Sequence, residues 1–370
     1  MRIFYFHRDD TACTFYRQTI PLNTWKKNDP DLIVDHHDRN TLPKDIEDQL
    51  LNSDIFVVGR AVENEIQQVI DERRKLGKYT VLDYDDDLFH LSPFSPHYHD
   101  FGTENIVVKL PDKEEPFPMW TDGENIDLKA NQKKLDAVKK NAGKADLVTV
   151  TTPYLKRVFS LYTDKIAVLP NCIDTDLWKW RGLDTKDRNE VRLYWSGGAS
   201  HYEDWSEIAR PLANILNSRP EVKLVIMGQK FNGTLKPINN KDQIEFHPWV
   251  HFEAYSYKTI FLQPDIGIIP LKDITFNHGK STIKYCELGS LQVPCVVSHV
   301  PPYTMVCKDK TGIFIEKNDP DLWEKGINML IDDPLLRASI GHNARTLVES
   351  EYDINKKWIL WKEAYEGMKK

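Results

Sequence analysis

Short β-rich segments alternate with amphipathic helical segments along most of the chain. In the first half, helical stretches that start at Glu63 and Leu128 separate several of these segments. The strand candidates there are RIFYF (2–6), LIVD (32–35), DIFVV (54–58), YTVLDY (79–84) and DLVTV (146–150). Because strand–helix–strand units make right-handed crossovers, this alternation predicts an α/β fold with a mostly parallel sheet.

The second half repeats the pattern without repeating the sequence. Its strand candidates are RLYWS (192–196), KLVIM (223–227), DIGIIP (265–270), PCVVS (294–298) and GIFI (312–315). The chain has 370 residues, and single cores rarely grow past ~250–300 residues. We therefore predict two Rossmann-like, doubly wound domains that face a cleft. Their predicted bounds are 1–168 and 169–350, and a terminal helix over 351–370 is expected to cross back to the first domain.

Composition and charge narrow the functional classes. The 49 Lys and Arg against 56 Asp and Glu give a net charge of −7, which argues against a dedicated nucleic-acid binder. Five scattered cysteines without a C-x-x-C pair favour neither a disulfide framework nor a zinc ribbon. No apolar run approaches the roughly 18 residues of a membrane span, and MRIFYFHRDD does not have the pattern of a signal peptide. These features predict a cytoplasmic protein without a transmembrane segment.

The segment FNHGKSTIKYCELGSLQVPCVVS (276–298) contains the most informative motif. Gly279-Lys280-Ser281 is predicted to open a helix, whose N-terminus suits a phosphate. Lys280, Lys284 and Glu287 would then share one helical face, either as a binding site or as a solvated face with an ion pair. A P-loop is excluded because Ile274 stands where that motif needs its first glycine.

This segment resembles the donor-binding motif of the retaining, family-four type of GT-B glycosyltransferases, the glycosyl transferases group 1. The resemblance rests on a series of matching positions: Asn277, Lys280, Ser281, Lys284, Glu287, Gly289 and Pro294. Gly279 stands where many members have a first glutamate. The resemblance implies that Glu287 holds the ribose hydroxyls of a nucleotide, and that Lys280 and Lys284 neutralise the departing diphosphate. Ser281 is expected beside them.

Further segments resemble the same family. LPNCIDTDLW (169–178) is similar to its interdomain element, and RLYWSGGASHYED (192–204) to the first strand and loop of its donor domain. Gly197 and Gly198 would let backbone amides approach phosphates, unless they form only a tight turn. His201, Gly228 and Trp249 are the other predicted donor-binding residues. The segment EYDINKKWILWKEAY (351–365) resembles the terminal helix, and its apolar stripe favours docking into a core over a membrane surface.

The first domain offers two groups of candidates. Tyr16 and Arg17 are expected at the start of a helix, where Arg17 supports phosphate or acceptor binding or forms a structural ion pair. Asp85, Asp86 and Asp87 follow a strand, and their carboxylates could bind sugar hydroxyls, act as a general base or cap a helix. Asp85 and Asp86 join Lys280 and Lys284 as the predicted catalytic residues. The Pro- and acid-rich segment 90–125 is either a lid or acceptor loop or a surface excursion.

The resemblance implies a hexosyl- or pentosyltransferase. It would move a sugar from a nucleotide-diphosphate sugar such as a UDP-sugar to an acceptor hydroxyl, with retention and without a metal or other cofactor. The acceptor would be a glycan, a lipid-linked sugar or a hydroxymethylated base of phage DNA. A lipid-linked sugar would require peripheral contact with a membrane. A DNA acceptor would imply a bacteriophage-encoded enzyme that acts in the host cytoplasm. Two alternatives stay open: a metal-dependent GT-A-like enzyme using a D-x-D site at Asp83, Asp85 and Asp87, and a non-catalytic sugar-nucleotide-binding protein.

Overall fold

The computed structural model describes residues 1–7, 11–38, 46–109, 115–179, 189–308 and 310–369. The chain forms two compact units: Met1–Pro170 together with Trp358–Lys370, and Asn171–Lys357. The predicted divisions fall after residues 168 and 350, whereas the chain changes unit after Pro170 and after Lys357. No helix among the described residues is both long enough and apolar enough to span a bilayer.

A six-stranded parallel sheet forms the centre of the N-terminal unit, in the order β2-β1-β3-β4-β7-β8. The strands of this sheet are β1 (Arg2–His7), β2 (Ile33–Asp38), β3 (Ile55–Gly59), β4 (Tyr79–Tyr84), β7 (Leu147–Val150) and β8 (Ile166–Val168). Strands β5 (Ile106–Val108) and β6 (Phe117–Trp120) form a separate antiparallel pair. The helices are α1 (Ala12–Thr14), a π-helical turn (Phe15–Thr19), α2 (Ile20–Asn28), α3 (Ile46–Asn52), α4 (Ile66–Lys75), α5 (Tyr98–Phe101), α6 (Leu128–Lys144) and α7 (Pro153–Phe159). Parallel strands covered by helices on both faces read as continuous apolar runs, and Val57, Leu82 and Val148 are fully buried.

The C-terminal unit has a second six-stranded parallel sheet, in the order β11-β10-β9-β12-β13-β14. Its strands are β9 (Val191–Gly197), β10 (Val222–Gly228), β11 (Ile244–His247), β12 (Ile266–Ile269), β13 (Cys295–Ser298) and β14 (Ile313–Ile315). Its α-helices are α8 (Tyr202–Ser218), α9 (Phe252–Phe261), α10 (Thr275–His278), α11 (Ile283–Ser290), α12 (Pro320–Asp332), α13 (Pro334–Glu351) and α14 (Ile354–Lys357). Short 3₁₀ turns occur at Ala199–His201, Lys241–Gln243, Tyr303–Met305 and Glu316–Asn318. Helix α15 (Ile359–Gly367) belongs to the N-terminal unit.

Each sheet reverses its strand order at one point. In the N-terminal unit the reversal falls between β1 and β3, and in the C-terminal unit between β9 and β12. Ligands of doubly wound sheets bind in the crevice outside the carboxyl ends of the strands at such a point. The loops after these four strands are therefore the expected ligand-binding positions.

The single terminal helix predicted over 351–365 is wrong. Helix α13 ends at Glu351, and the backbone then pairs with Ile173, whose N–H donates to the Tyr352 carbonyl at 2.9 Å. This long-range bridge takes Tyr352 and Asp353 out of the helical path, so that two short helices follow.

The apolar stripe of segment 351–365 was predicted to dock into a core. This prediction is confirmed for the part of the segment that belongs to the N-terminal unit. Trp361 is fully buried there and donates its indole N–H to the Arg17 carbonyl at 3.2 Å. Tyr365 lies against Trp25, with ring centroids 6.2 Å apart. Ile354, predicted on the same stripe, is instead buried in the C-terminal unit.

The described part of segment 90–125 folds as helix α5 and the β5–β6 hairpin. The Trp120 indole donates to the Pro93 carbonyl at 2.7 Å, and Asn131 of α6 donates to the carbonyls of His99 and Gly102. These bonds anchor the segment to helix α6. Its role as a lid or acceptor loop stays a prediction, and residues 110–114 lie outside the described residues.

Candidate active site

The carboxyl end of β9 places two glycines directly before helix α8. A Cβ atom on Gly197 would lie 2.5 Å from the Trp195 ring and 3.2 Å from the His201 ring, whereas Gly198 faces open space. Gly198 precedes the turn Ala199–His201 that leads into the 17 residues of α8. The two glycines thus lead into the N-terminus of a long helix, and free N–H groups at such a terminus favour an anion.

Gly228, at the end of β10, completes the same edge of the sheet. Its φ of 106° is a conformation that side chains rarely adopt. A Cβ atom there would lie 2.6 Å from both the Gly197 carbonyl oxygen and the Trp249 ring. The chain therefore needs glycine at Gly228 to let Trp249 approach the end of β10, and the indole of Trp249 remains half-exposed.

A hydrogen-bonded series of side chains, here called the His201 network, links α8 to α11. It consists of Asp204, His201 and Lys284. The Lys284 ammonium lies 3.0 Å from His201 Nε2, and His201 Nδ1 lies 2.6 Å from Asp204 Oδ2. The other oxygen of Asp204 accepts from the Lys272 backbone N–H and from the Asn277 amide, both at 2.8 Å. The carboxylate is thus held from two directions and fixes the imidazole.

Burial and charge set the protonation of the His201 network. Burial lowers the pKa of Lys284 to about 8; Asp204 and Glu287 favour its ammonium form and Lys280 opposes it. Burial and the Lys284 charge lower the pKa of His201 to about 4. At neutral pH the imidazole is therefore uncharged: Nδ1–H donates to Asp204, and Nε2 accepts from Lys284.

Glu287 lies three residues further along α11 and is almost fully buried. One of its oxygens accepts a hydrogen bond from the Tyr255 hydroxyl at 3.0 Å, and that hydroxyl is also 3.0 Å from Ser196 Oγ on β9. Tyr255 packs against Trp249 with ring centroids 6.1 Å apart. Glu287 and the half-exposed Trp249 are thus placed by the same tyrosine.

The prediction that Gly279-Lys280-Ser281 opens a helix is wrong. Helix α10 ends at His278, Gly279 caps it, and α11 begins only at Ile283. Lys280 therefore does not share a helical face with Lys284 and Glu287; its ammonium lies 4.3 Å from the centre of the Phe276 ring. Ser281 accepts a hydrogen bond from the Asn171 amide at 3.0 Å.

Of the two roles left open for Arg17, the structure shows the ion pair. The guanidinium is buried and bonds to both oxygens of Asp83 at 2.6 and 3.0 Å. It also donates to the Leu169 carbonyl. Tyr16 is buried as well. Neither side chain is exposed at the start of a helix, because both belong to the π-helical turn inside a continuous helical stretch.

A second polar group lies after β1, β3 and β4, and we call it the Arg60 cluster: Cys13, Arg60, Asp85 and Asp86. Arg60 donates to both oxygens of Asp85 at 2.8 and 3.1 Å, to Asp86 at 3.3 Å and to Cys13 Sγ at 3.4 Å. Burial alone would raise the pKa of Asp85, but the charge and hydrogen bonds of Arg60 outweigh it and hold that pKa well below its usual range. Asp85 is therefore an anion at neutral pH and a weak general base. Sequence reasoning missed Arg60.

Asp87 does not cap a helix, one of the roles predicted for the acidic run, because residues 88–90 are not helical. It is fully buried and accepts from the Phe89 backbone N–H, the Tyr154 hydroxyl and His90 Nδ1, which fixes the turn after β4. Asp83 and Asp85 have other partners, Arg17 and Arg60. Within the described ranges, no group of three or more His, Cys, Asp or Glu side chains could hold a metal ion. The D-x-D site is not assembled.

Comparisons with known proteins bear on this geometry. Residues 186–347 match the family described as Glycosyl transferases group 1. A 78-residue stretch is 35% identical to the capsular polysaccharide biosynthesis glycosyltransferase CapM of Staphylococcus aureus, covering 21% of this chain and 20% of that protein. The chain thus aligns with only about a fifth of that relative's length.

Solved structures resemble the whole chain. HepE of Anabaena in complex with UDP and glucose has a TM-score of 0.67 at 12% identity, with 99% of each chain covered. Sucrose-phosphate synthase of Thermosynechococcus elongatus has a TM-score of 0.65 at 12% identity, covering 100% of this chain and 99% of the other. At such identities the likeness shows the fold alone. The predicted α/β fold with two doubly wound units, the GT-B architecture, is confirmed, and the GT-A alternative is wrong.

The family match covers all the predicted donor-binding residues and two of the predicted catalytic residues. The donor-binding residues inside 186–347 are Gly197, Gly198, His201, Gly228, Trp249, Ser281 and Glu287, and the catalytic ones are Lys280 and Lys284. Residues 186–347 thus match a glycosyltransferase family, which agrees with the prediction of a sugar-transferring enzyme.

Proposed function

We propose that the chain as a whole is a glycosyltransferase that moves a sugar from a nucleotide-diphosphate sugar to an acceptor hydroxyl. The His201 network carries this proposal. It places a partly buried ammonium, Lys284, beside the glycine-lined start of α8, at the point where the C-terminal sheet reverses its strand order. A cation, helix N–H groups and a water-poor setting are what a departing diphosphate requires.

The roles follow from position. Lys284 and the backbone N–H groups at Gly197 and Gly198 bind the diphosphate, with Lys280 as a second charge nearby. Glu287 accepts hydrogen bonds from the ribose hydroxyls. The half-exposed indole of Trp249 packs against the nucleobase. We take the donor to carry uridine, which is supported by the UDP in the HepE structures and in a TarM structure of S. aureus.

A glycan or lipid-linked sugar is the acceptor class that we favour. The sequence match to CapM, whose name places it in capsular polysaccharide biosynthesis, supports this choice. A hydroxymethylated DNA base is less well supported, because a net charge of −7 repels a polyanion. Retention of the anomeric configuration is part of the proposal through the family match alone.

The test is turnover on a set of nucleotide-diphosphate sugars, with release of the nucleoside diphosphate measured in the presence and absence of acceptor glycans. The expected result is acceptor-dependent release from at least one UDP-sugar. Binding of UDP without any release, whatever the acceptor, would favour the non-catalytic alternative instead.

Transfer should continue after divalent metals are removed. The cationic group proposed to stabilise the leaving diphosphate is Lys284, and the carboxylates of the D-x-D sequence are committed to separate partners. Turnover measured in EDTA is expected to equal turnover in Mg²⁺ or Mn²⁺. Activity that EDTA abolishes and Mn²⁺ restores would contradict the metal-free mechanism.

Glu287→Gln should weaken ribose recognition and leave the fold intact. Glutamine keeps an oxygen for the Tyr255 hydroxyl but loses the charge that strengthens hydrogen bonds from a ribose. We expect UDP affinity to fall about tenfold, as for loss of a hydrogen bond to a charged group. Calorimetry with UDP and 2′-deoxy-UDP checks the assignment, because the wild type should discriminate between them more strongly than the variant. Equal discrimination by both proteins would contradict it.

A further inference from the structure

The His201 network contains a histidine that donates to a fixed carboxylate at one nitrogen and accepts from a partly buried lysine at the other. Asp204 is held by the Lys272 N–H and the Asn277 amide, so it cannot turn away from His201. His201 in turn cannot turn away from Lys284 without losing the 2.6 Å bond to Asp204. The position of the Lys284 ammonium is thus determined by a group that carries no charge at neutral pH.

We infer that His201 is a positioning residue, which accepts a hydrogen bond from the Lys284 ammonium at Nε2 and so holds it, protonated and oriented, for a bound diphosphate. This inference rests on the proposed function, since it assumes that Lys284 meets the diphosphate. It gives His201 a role through Lys284, whereas the sequence predicted only that His201 contributes to donor binding.

The groups around Lys284 have opposing effects on its protonation, so a direct hydrogen-bond acceptor matters. Asp204 on α8 and Glu287 on α11 favour the ammonium, whereas Lys280, ahead of α11, and burial disfavour it. The face of the Trp195 ring on β9 lies 5.6 Å away. His201 Nε2 adds a direct acceptor at 3.0 Å. Removing that acceptor favours the neutral amine and lets the side chain turn.

The pH dependence of nucleotide binding shows whether the Lys284 side chain is protonated. The unbound lysine has a pKa of about 8, so affinity for a diphosphate should be highest below pH 8 and should fall as the pH rises through that value. The terminal phosphate of UDP loses its last proton near pH 6, so it does not contribute to this alkaline decline. The uracil ring of UDP also loses a proton at alkaline pH, but it does so alike with every variant. The shift of the midpoint between variants is therefore the measure of how strongly the site holds the ammonium.

Two amide substitutions separate the roles of the two ring nitrogens. In His201→Asn the side-chain amide takes the place of Nδ1 and can bond only to Asp204. In His201→Gln the amide reaches the place of Nε2 and can accept from Lys284. His342→Ala, on the exposed side of α13, is the control histidine.

The experiment is calorimetric titration of each full-length variant with UDP between pH 7 and pH 10, with melting temperatures to verify folding. We expect His201→Asn to lose about tenfold in affinity, the scale for one hydrogen bond to a charged group, and to shift the midpoint about one pH unit lower. His201→Gln should stay near the wild type, as should His342→Ala.

The opposite pattern, with His201→Asn like the wild type and His201→Gln impaired, would show that His201 serves only as a partner of Asp204 and would overturn the inference. Unchanged midpoints in both variants would overturn it as well. Failure of the wild type to bind UDP is a different result: it would overturn the proposed function, and with it the premise of this inference.

Discussion

Replacing Lys284 by alanine is expected to weaken UDP binding by about ten- to a hundredfold, the range for one charge-assisted hydrogen bond. Turnover should fall by at least as much, because the negative charge on the diphosphate increases as the sugar departs. The Lys284 ammonium is partly buried and is held 3.0 Å from His201 Nε2, at the start of α8.

Calorimetry with UDP and steady-state release of UDP from the sugar donor check this expectation. Lys325→Ala is the matched control, since it removes one lysine from the exposed face of α12 in the same unit. The control should bind and turn over like the wild type. Unchanged affinity and turnover in the Lys284 variant would remove Lys284 from the mechanism.

Asp85→Asn is expected to lower kcat by about ten- to a hundredfold, which is the effect of losing one hydrogen bond to a charged group. The affinity for UDP should stay the same. Asp85 belongs to the N-terminal unit, and the proposal assigns the nucleotide to residues of the C-terminal unit. We propose that Asp85 accepts hydrogen bonds from the acceptor sugar and that these bonds are strongest in the transition state. Asparagine is preferred to alanine because it leaves the Arg60 guanidinium with an acceptor.

Asp87→Asn is the matched control for Asp85. Asp87 is fully buried and accepts three hydrogen bonds, so its substitution should lower the melting temperature and leave the kcat of the folded enzyme near that of the wild type. If Asp85→Asn shows the same behaviour as Asp87→Asn, Asp85 is a structural residue too. Because Arg60 keeps the pKa of Asp85 well below its usual range, the turnover of the wild type should show no loss of activity from this carboxylate between pH 5 and 8.

The fold was predictable because its pattern is local. Each parallel strand is a short apolar run, and each is followed by a helix with one apolar face, so strand β4 and helix α6 appear in the sequence with nearly their observed bounds. The carboxyl ends of the strands then mark where ligands bind. This is why Gly197, Gly198 and Lys284 could be singled out without a structure.

The errors have long-range or conformational causes. A backbone bridge to Ile173 interrupts the terminal helix, and no local signal shows a partner so distant in sequence. Arg60 is a single arginine in a left-handed conformation, with φ of 50°, where glycine is the usual residue, so neither motif nor propensity identifies it. The start of α11 was misplaced because Gly279, which ends α10, stands immediately before the Lys-Ser pair that resembles a helix start.

The sequence also does not predict which side chains pair with each other. Arg17 and Asp83 are 66 residues apart, and only the folded sheet brings the guanidinium to that carboxylate. The same is true of Lys284 and His201, 83 residues apart, although both were predicted to bind the donor. A motif predicts which residues serve a site, but the partner that fixes each residue follows from the tertiary structure.

In the proposed complex the C-terminal unit holds the diphosphate of a nucleotide at the start of α8, against Lys284. The decisive measurement is a crystal structure of the chain soaked with UDP. We expect phosphate oxygens within hydrogen-bond distance of the Lys284 ammonium and of the backbone N–H of Gly198, with the ribose at Glu287. UDP bound elsewhere, or bound in that crevice with Lys284 still directed only at His201, would contradict it.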